Sequence, residues 1–94
     1  MLVEWDAAKA KANRRKHGVA FDEAASAFLD PVSATFPDPD QSIGEFRFIT
    51  VGYSSRGRLI VVAHADSNSA IRIISARPAS ARERKRHEDQ ATEG

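Results

Sequence analysis

Residues 59–65 constrain the fold of this chain more than any other segment, because they are apolar at every position except His64. Successive side chains of a strand point to opposite sheet faces, so a strand apolar on both must be covered on both and belongs inside a sheet. The run is also far too short to span a bilayer. Turn sequences bracket it. Ser54-Ser55-Arg56-Gly57 precedes it, with Gly57 suited to a positive φ, and Asp66-Ser67-Asn68-Ser69 follows. The spacing predicts strands over 46–53, 58–64 and 71–76, joined as hairpins. In the first of these, Phe46 and Phe48 share one face, and Ile49 and Val51 the other.

The N-terminal half carries helical signals. Residues 2–5 read as a short strand with Trp5 as core bulk. Asp6 is a good N-cap, residues 7–16 are mostly strong helix formers, and Gly18 sits where a left-handed C-cap belongs. A helix over 7–17 follows, with Ala8 and Ala12 as its narrow buried stripe and Ala7 beside them. Asp22 is the expected N-cap of a second helix over 22–29, which buries Ala24, Ala25, Phe28 and Leu29. Asp30-Pro31 ends it, since the residue before proline is pushed out of the α region. Residues 32–36 resemble a strand and 37–42 a loop. Pro78 ends the ladder of the last strand, and Ser80 caps a helix over 81–89, with a frayed tail at about 90–94. The order is β-α-α-β-β-β-β-α. It predicts an α+β fold in one domain over 1–94, an antiparallel sheet with helices packed mainly on one face.

A chain of 94 residues has a thin core, so a partner chain that covers apolar surface is expected. The absence of cysteine excludes disulfides, thiolate metal sites and thiol catalysis, and fits a reducing cytosol. No signal-peptide pattern opens the chain, and a cytoplasmic protein without membrane contact is expected. Net charge is only +1, but the charges segregate. Lys9, Lys11, Arg14, Arg15 and Lys16 cluster early, and Arg72, Arg77, Arg82, Arg84, Lys85 and Arg86 late. Residues 18–46 contain no Lys or Arg. A segregated chain can turn a basic face to phosphates while its total charge stays near zero; two ordinary solvated basic helices are the alternative.

No phosphate-cradling Gly-rich loop, HExxH or EF-hand spacing is present, and His17, His64 and His87 lie far apart, so neither a metal nor a cofactor is expected. What remains is arginine. Cleaving RNA without metal requires a proton acceptor for the 2′-hydroxyl, cations against the phosphorane and a proton donor for the leaving 5′-oxygen. Arginine suits the middle role, because its planar fork pairs with two phosphate oxygens and stays charged. Arg47, Arg58, Arg72 and Arg77 lie on or next to strands, with His64 at a strand end. Strict alternation puts Arg72 with Ile74 and Ala76, and Arg77 opposite with Ile71, Ile73 and Ser75. Arg77, at a strand end, is the better catalytic candidate. Arg72 alternatively bridges to Glu45, and Asp66 is an orienting partner for His64 or a plain turn residue. Arg82, Lys85 and Arg86 share one region of the last helix, suited to a phosphate backbone or simply to solvent.

Several motifs together resemble one family. Glu4-Trp5-Asp6 and Lys16-His17-Gly18-Val19 are followed by Asp30-Pro31, Gly52-Tyr53-Ser54 and Gly57-Arg58-Leu59. Arg72-Ile73-Ile74-Ser75-Ala76-Arg77, Ala79, Glu83-Arg84 and His87-Glu88 close the pattern, which covers about residues 2–88. In this order they are similar to the BrnT toxins of type II toxin–antitoxin systems. The resemblance implies a RelE-like fold, ribonuclease activity that arrests translation, and a ribbon-helix-helix BrnA-type antitoxin. It further implies a two-plus-two complex that meets operator DNA only through the antitoxin. Together with strand-end position it points to Arg58, His64 and Arg77 as catalytic residues, while the placement of the other basic side chains makes Arg47, Arg72, Arg82, Lys85 and Arg86 the expected RNA-binding residues. Glu45, Asp66 and His87 follow as acid/base or orienting groups. The chain departs from the family at Asp66, a shorter acid than the usual Glu, at His87, which replaces a tyrosine near the end, and at two further positions. Ser67 occupies a position where family members often carry arginine, and Pro78 one that is often basic. They motivate an alternative reading, a weakened toxin that acts as an antitoxin-binding co-repressor module.

Overall fold

The computed structural model describes residues 2–39, 46–67 and 69–93, so Glu45 and residues 40–42 of the expected 37–42 loop lie outside the described residues. Five strands form one sheet, in the order β1 (Val3–Glu4), β5 (Ile71–Pro78), β4 (Leu59–Asp66), β3 (Arg47–Tyr53), β2 (Ala34–Pro37). The run at 59–65 is central, as its two apolar faces require. Strands β2 to β5 make the expected antiparallel meander, whereas β1 pairs parallel with β5 at the far edge.

Helix α1 (Ala7–His17) is capped by the Asp6 carboxylate, which accepts the Lys9 amide at 2.9 Å, and closed by Gly18 at φ 72°. Its rotation differs from expectation: Ala7, Ala8 and Ala12 are exposed, and Ala10 and Asn13 face the sheet. The cause is polar. Asn13 Nδ2 donates to the carbonyls of Val19 and Ala76, and its Oδ1 accepts the Ala76 amide. These three bonds outweigh a methyl stripe too weak to orient a helix.

Helix α2 (Phe21–Ser26) starts one residue earlier than expected, with Ala20 rather than Asp22 at the N-cap, and tightens into a 3₁₀ turn over Ala27–Leu29. The tighter turn carries Leu29 out of the stripe to 77% exposure. Val19, Phe21, Ala24 and Ala27 pack on Ile60, Val62, Ile73 and Ala76. Trp5 meets Phe21 edge-on but stays 39% exposed, so it rims this core instead of filling it. Gly52 belongs to the same packing: a Cβ there would lie 2.9 Å from the Ala27 carbonyl oxygen and the Ser33 Cβ.

The opposite face buries Val51, Leu59 and Val61, with Tyr53 and Ala79 beside them. Helix α3 (Ala81–Glu93), longer than the expected 81–89, crosses this face, its His87 ring 5.9 Å from that of Tyr53. Ser80 and Glu83 form the reciprocal cap: the Ser80 hydroxyl accepts the Glu83 amide, and the Glu83 carboxylate accepts the Ser80 amide. Two helices thus lie on one face and one on the other. Among the described residues no helix is long and apolar enough to cross a membrane.

Candidate nucleic-acid interface

The site begins with a β-bulge. Ala63 pairs with Ser75 but His64 pairs with Ile73, so Ile74 is an extra residue in β5. An extra residue inverts the alternation beyond it. Ile73 and Ala76 therefore both face α1 and α2, while Arg72 and Arg77 both face the α3 side, which corrects the expectation that they lie on opposite faces. Arg47 joins them, because Arg47, Ala65 and Arg72 are register partners across β3, β4 and β5. The next row pairs Ile49, Ala63 and Ser75, and the one beyond pairs Val51, Val61 and Arg77.

Arg47 and Arg72 thus sit about 10 Å apart across two strand spacings, and the Arg77 row lies about 13 Å farther along the strands. Ala63, Ala65 and Ser75 make a low floor between them. Helix α3 lies at the Tyr53 end of this face; Arg72 and Arg77 are exposed, and Arg47 is half-buried with its Nε enclosed. Glu4 is the β1 register partner of Arg72 and shares its face, a placement that residue type alone gave no means of finding.

Arg77 is held. Its Nη1 and Nη2 donate to the two carboxylate oxygens of Glu83 at 2.8 and 2.9 Å. Those bonds hold the Glu83 carboxyl down to about 2 against the opposing effect of burial, and they raise the Arg77 guanidinium. A fork that grips a carboxylate in this way has the geometry to grip a phosphate.

Arg58 and His64 do not join the arginine face. Arg58 lies at the hairpin end of β4. It donates from Nε and Nη2 to Glu23, both at 2.7 Å, and from Nη2 to the Gly18 carbonyl at 2.8 Å. Glu23, with 5% of its side chain exposed, also accepts the Ser54 hydroxyl. The Arg58 bond lowers its carboxyl more than burial raises it. These bonds tie α2 to the β3–β4 hairpin.

His64 is 2% exposed on the α1–α2 side, six residues and about 20 Å from Arg58 along β4. Its ring lies edge-on to Phe28 and stacked on Phe48. Nδ1 is 2.6 Å from Asp66 Oδ1, and Nε2 is 2.8 Å from Thr50 Oγ1, itself 2.7 Å from Thr35 Oγ1. An ionised carboxylate only accepts, so Nδ1 donates to it, and Nε2 shares a hydrogen bond with the Thr50 hydroxyl. Both nitrogens are committed. The expected catalytic trio is therefore dispersed: Arg77 lies on one sheet face, and His64 and Arg58 at two ends of the other. Asp66 does orient His64. Arg82, Lys85 and Arg86 are exposed on α3, and His87 is buried beneath it. Among the described residues no three His, Asp or Glu side chains converge as metal ligands.

The chain is a small α+β domain that presents arginines from neighbouring strands on one sheet face. The family model described as "Ribonuclease toxin, BrnT, of type II toxin-antitoxin system" matches residues 5–83, and the chain belongs to this family of ribonuclease toxins. Its fold is similar to the 1.1 Å crystal structure of the Brucella abortus ribonuclease toxin BrnT. The two share a TM-score of 0.67 and 26% identity over 85% of this chain and 97% of that one. No match is found among curated proteins. Membership of a type II toxin–antitoxin family implies an antitoxin partner.

Proposed function

We propose that this chain cleaves RNA without a metal, on the α3-side face of its sheet, and thereby arrests translation. The observation that carries the reading is the bulge-driven convergence of Arg47, Arg72 and Arg77 on one face over a floor of small side chains. A single strand of RNA laid along that floor meets fixed positive charge at intervals. The 2′-hydroxyl gives up its proton to solvent water as it attacks the adjacent phosphate, the P–O5′ bond breaks with the 5′-oxygen taking a proton from water, and Arg77, freed from Glu83, stabilises the charge that develops on the phosphorane. Arg72 and Arg47 hold flanking phosphates, and Arg82 and Lys85 extend the basic surface along α3. His64, sealed on the opposite face, supports the fold and does not touch substrate.

The partner is a BrnA-type antitoxin, bound two to two, which carries the operator contacts of the complex. Leu29, Val32 and Phe46, at 77, 51 and 71% exposure, are apolar side chains suited to burial against it. The test is incubation of the purified chain with RNA in excess EDTA, beside an RNA carrying one 2′-deoxy sugar at the mapped cleavage position. Cleavage of the first alone, leaving a 2′,3′-cyclic phosphate, supports the reading; cleavage that EDTA abolishes contradicts it.

A specific observation favours a second reading. Arg77 is engaged by Glu83, His64 is sealed from solvent, and Ser67 supplies no cation. A chain so arranged would bind its antitoxin without cutting RNA and act as a co-repressor module. Tight antitoxin binding with no cleavage of any RNA would select it.

A further inference from the structure

Between α3 and the β2–β3 edge lies a cleft of about 90 Å³, lined by Phe36, Val51, Glu83, Arg86, His87 and Gln90 among others. On its scale a single water needs roughly 10–15 Å³, so it holds several waters or a small planar ring. Two features at its wall lack a partner. The His87 ring is 5% exposed, and its Nε2 is fully buried with no hydrogen-bond partner among the described residues. A buried imidazole nitrogen left alone is costly, and such groups recur where a ligand completes them. Across the cleft, Phe36 leaves 45% of its surface exposed on an edge strand.

We propose that this cleft is a nucleobase subsite, in which a base of the bound RNA stacks on Phe36 and hydrogen-bonds to His87 Nε2, with Gln90 and Arg86 at its rim. The inference rests on the RNA reading above and adds to it the place where sequence is read. Single-stranded RNA is recognised by splayed bases that stack on aromatic rings and offer their polar edges to side chains. The cleft combines an aromatic wall, a buried polar atom and amide and guanidinium groups. An apolar antitoxin side chain would satisfy the wall and leave the nitrogen orphaned. The cleft also adjoins the arginine face, since Glu83 both lines it and grips Arg77. A phosphate that displaced Glu83 from Arg77 would leave its neighbouring base at the mouth.

The test has two arms. In the first, the His87 ring nitrogens of the full chain are followed by NMR while millimolar AMP, GMP, CMP, UMP or ribose 5-phosphate is added. Nε2 is expected to move with at least one nucleotide and to stay with ribose 5-phosphate. In the second, cleavage rates are compared for oligonucleotides that differ in one base beside the cut. A spread of about tenfold between best and worst base is expected to collapse in Phe36→Ala and Gln90→Ala, whose exposed side chains are not needed for folding. Cleavage with the same base preference in both variants, or an Nε2 unmoved by every nucleotide, overturns the subsite and leaves the ribonuclease reading standing. An Nε2 that moves with nucleotides in a chain that never cleaves RNA keeps the subsite and removes the ribonuclease reading. An Nε2 that responds only to the antitoxin assigns the cleft to the protein partner and overturns the proposal.

Discussion

Arginines of one chemical type do opposite jobs in this chain, and their neighbours decide which. Arg58 answers a buried carboxylate, Arg77 an exposed one. Arg58→Ala leaves Glu23 buried beside only a hydroxyl. With Arg58 itself partly exposed, the expected loss is about 2 kcal/mol, read as a lower urea midpoint. His64→Ala opens a void between Phe28 and Phe48 and leaves the Thr50 hydroxyl with Thr35 as its remaining partner. It should cost about 2–4 kcal/mol of stability, with any loss of cleavage tracking the folded fraction. A His64→Ala chain of unchanged stability would refute a structural role for this ring. None of this is legible from residue type. The sequence placed His64 beside Asp66 and Arg58 beside a turn, but Glu23, 35 positions away, and Thr50 become partners only when the sheet closes.

At the scale of elements, caps and turns were readable because their signals are local. Asp6, Gly18, Gly57 and the Ser80–Glu83 box all act within a few residues of themselves. Two features were not. The bulge at Ile74 leaves no mark in an apolar run, yet it moves Arg72 and Arg77 onto one face. The rotation of α1 is set by Asn13 bonding to β5, a contact across 63 positions. Gly52→Ala tests the packing of the 3₁₀ turn on β3: backbone must shift there, at about 1–3 kcal/mol, and a neutral substitution would contradict the close approach. Helix α3 is tested by acid. The Glu83 carboxyl is depressed from 4.5 to about 2 in the fold. The stability it contributes is therefore present above about pH 4.5 and is lost as pH falls through 2, and Glu23, lowered as well, acts in the same direction. The pair is largely exposed, so about 1 kcal/mol is at stake. Glu83→Gln should flatten this acid limb in denaturation midpoints taken between pH 5 and 2.

At the scale of the molecule, a net charge of +1 conceals a basic sheet face, and RNA affinity should report the face and not the total. Single-strand binding should weaken with salt, and each phosphate-contacting arginine replaced should lower the log–log slope by about 0.7. An Arg72→Ala chain with an unaltered slope would remove that arginine from the interface. The α+β order of elements was legible as a whole, because hydrophobic periodicity and turn residues agree along most of the chain. The arrangement of the site was not, because it depends on which sheet face each strand residue finally occupies. Cleavage on the arginine face is tested most directly by the single-turnover rate in EDTA of the native chain and of Arg77→Ala, with equal folding verified by circular dichroism. Arg77→Ala should be slower by about 10²–10³-fold. A variant that cleaves within about threefold of the native rate, against the hundredfold or more expected of a lost phosphorane contact, would place the reaction somewhere other than the arginine face.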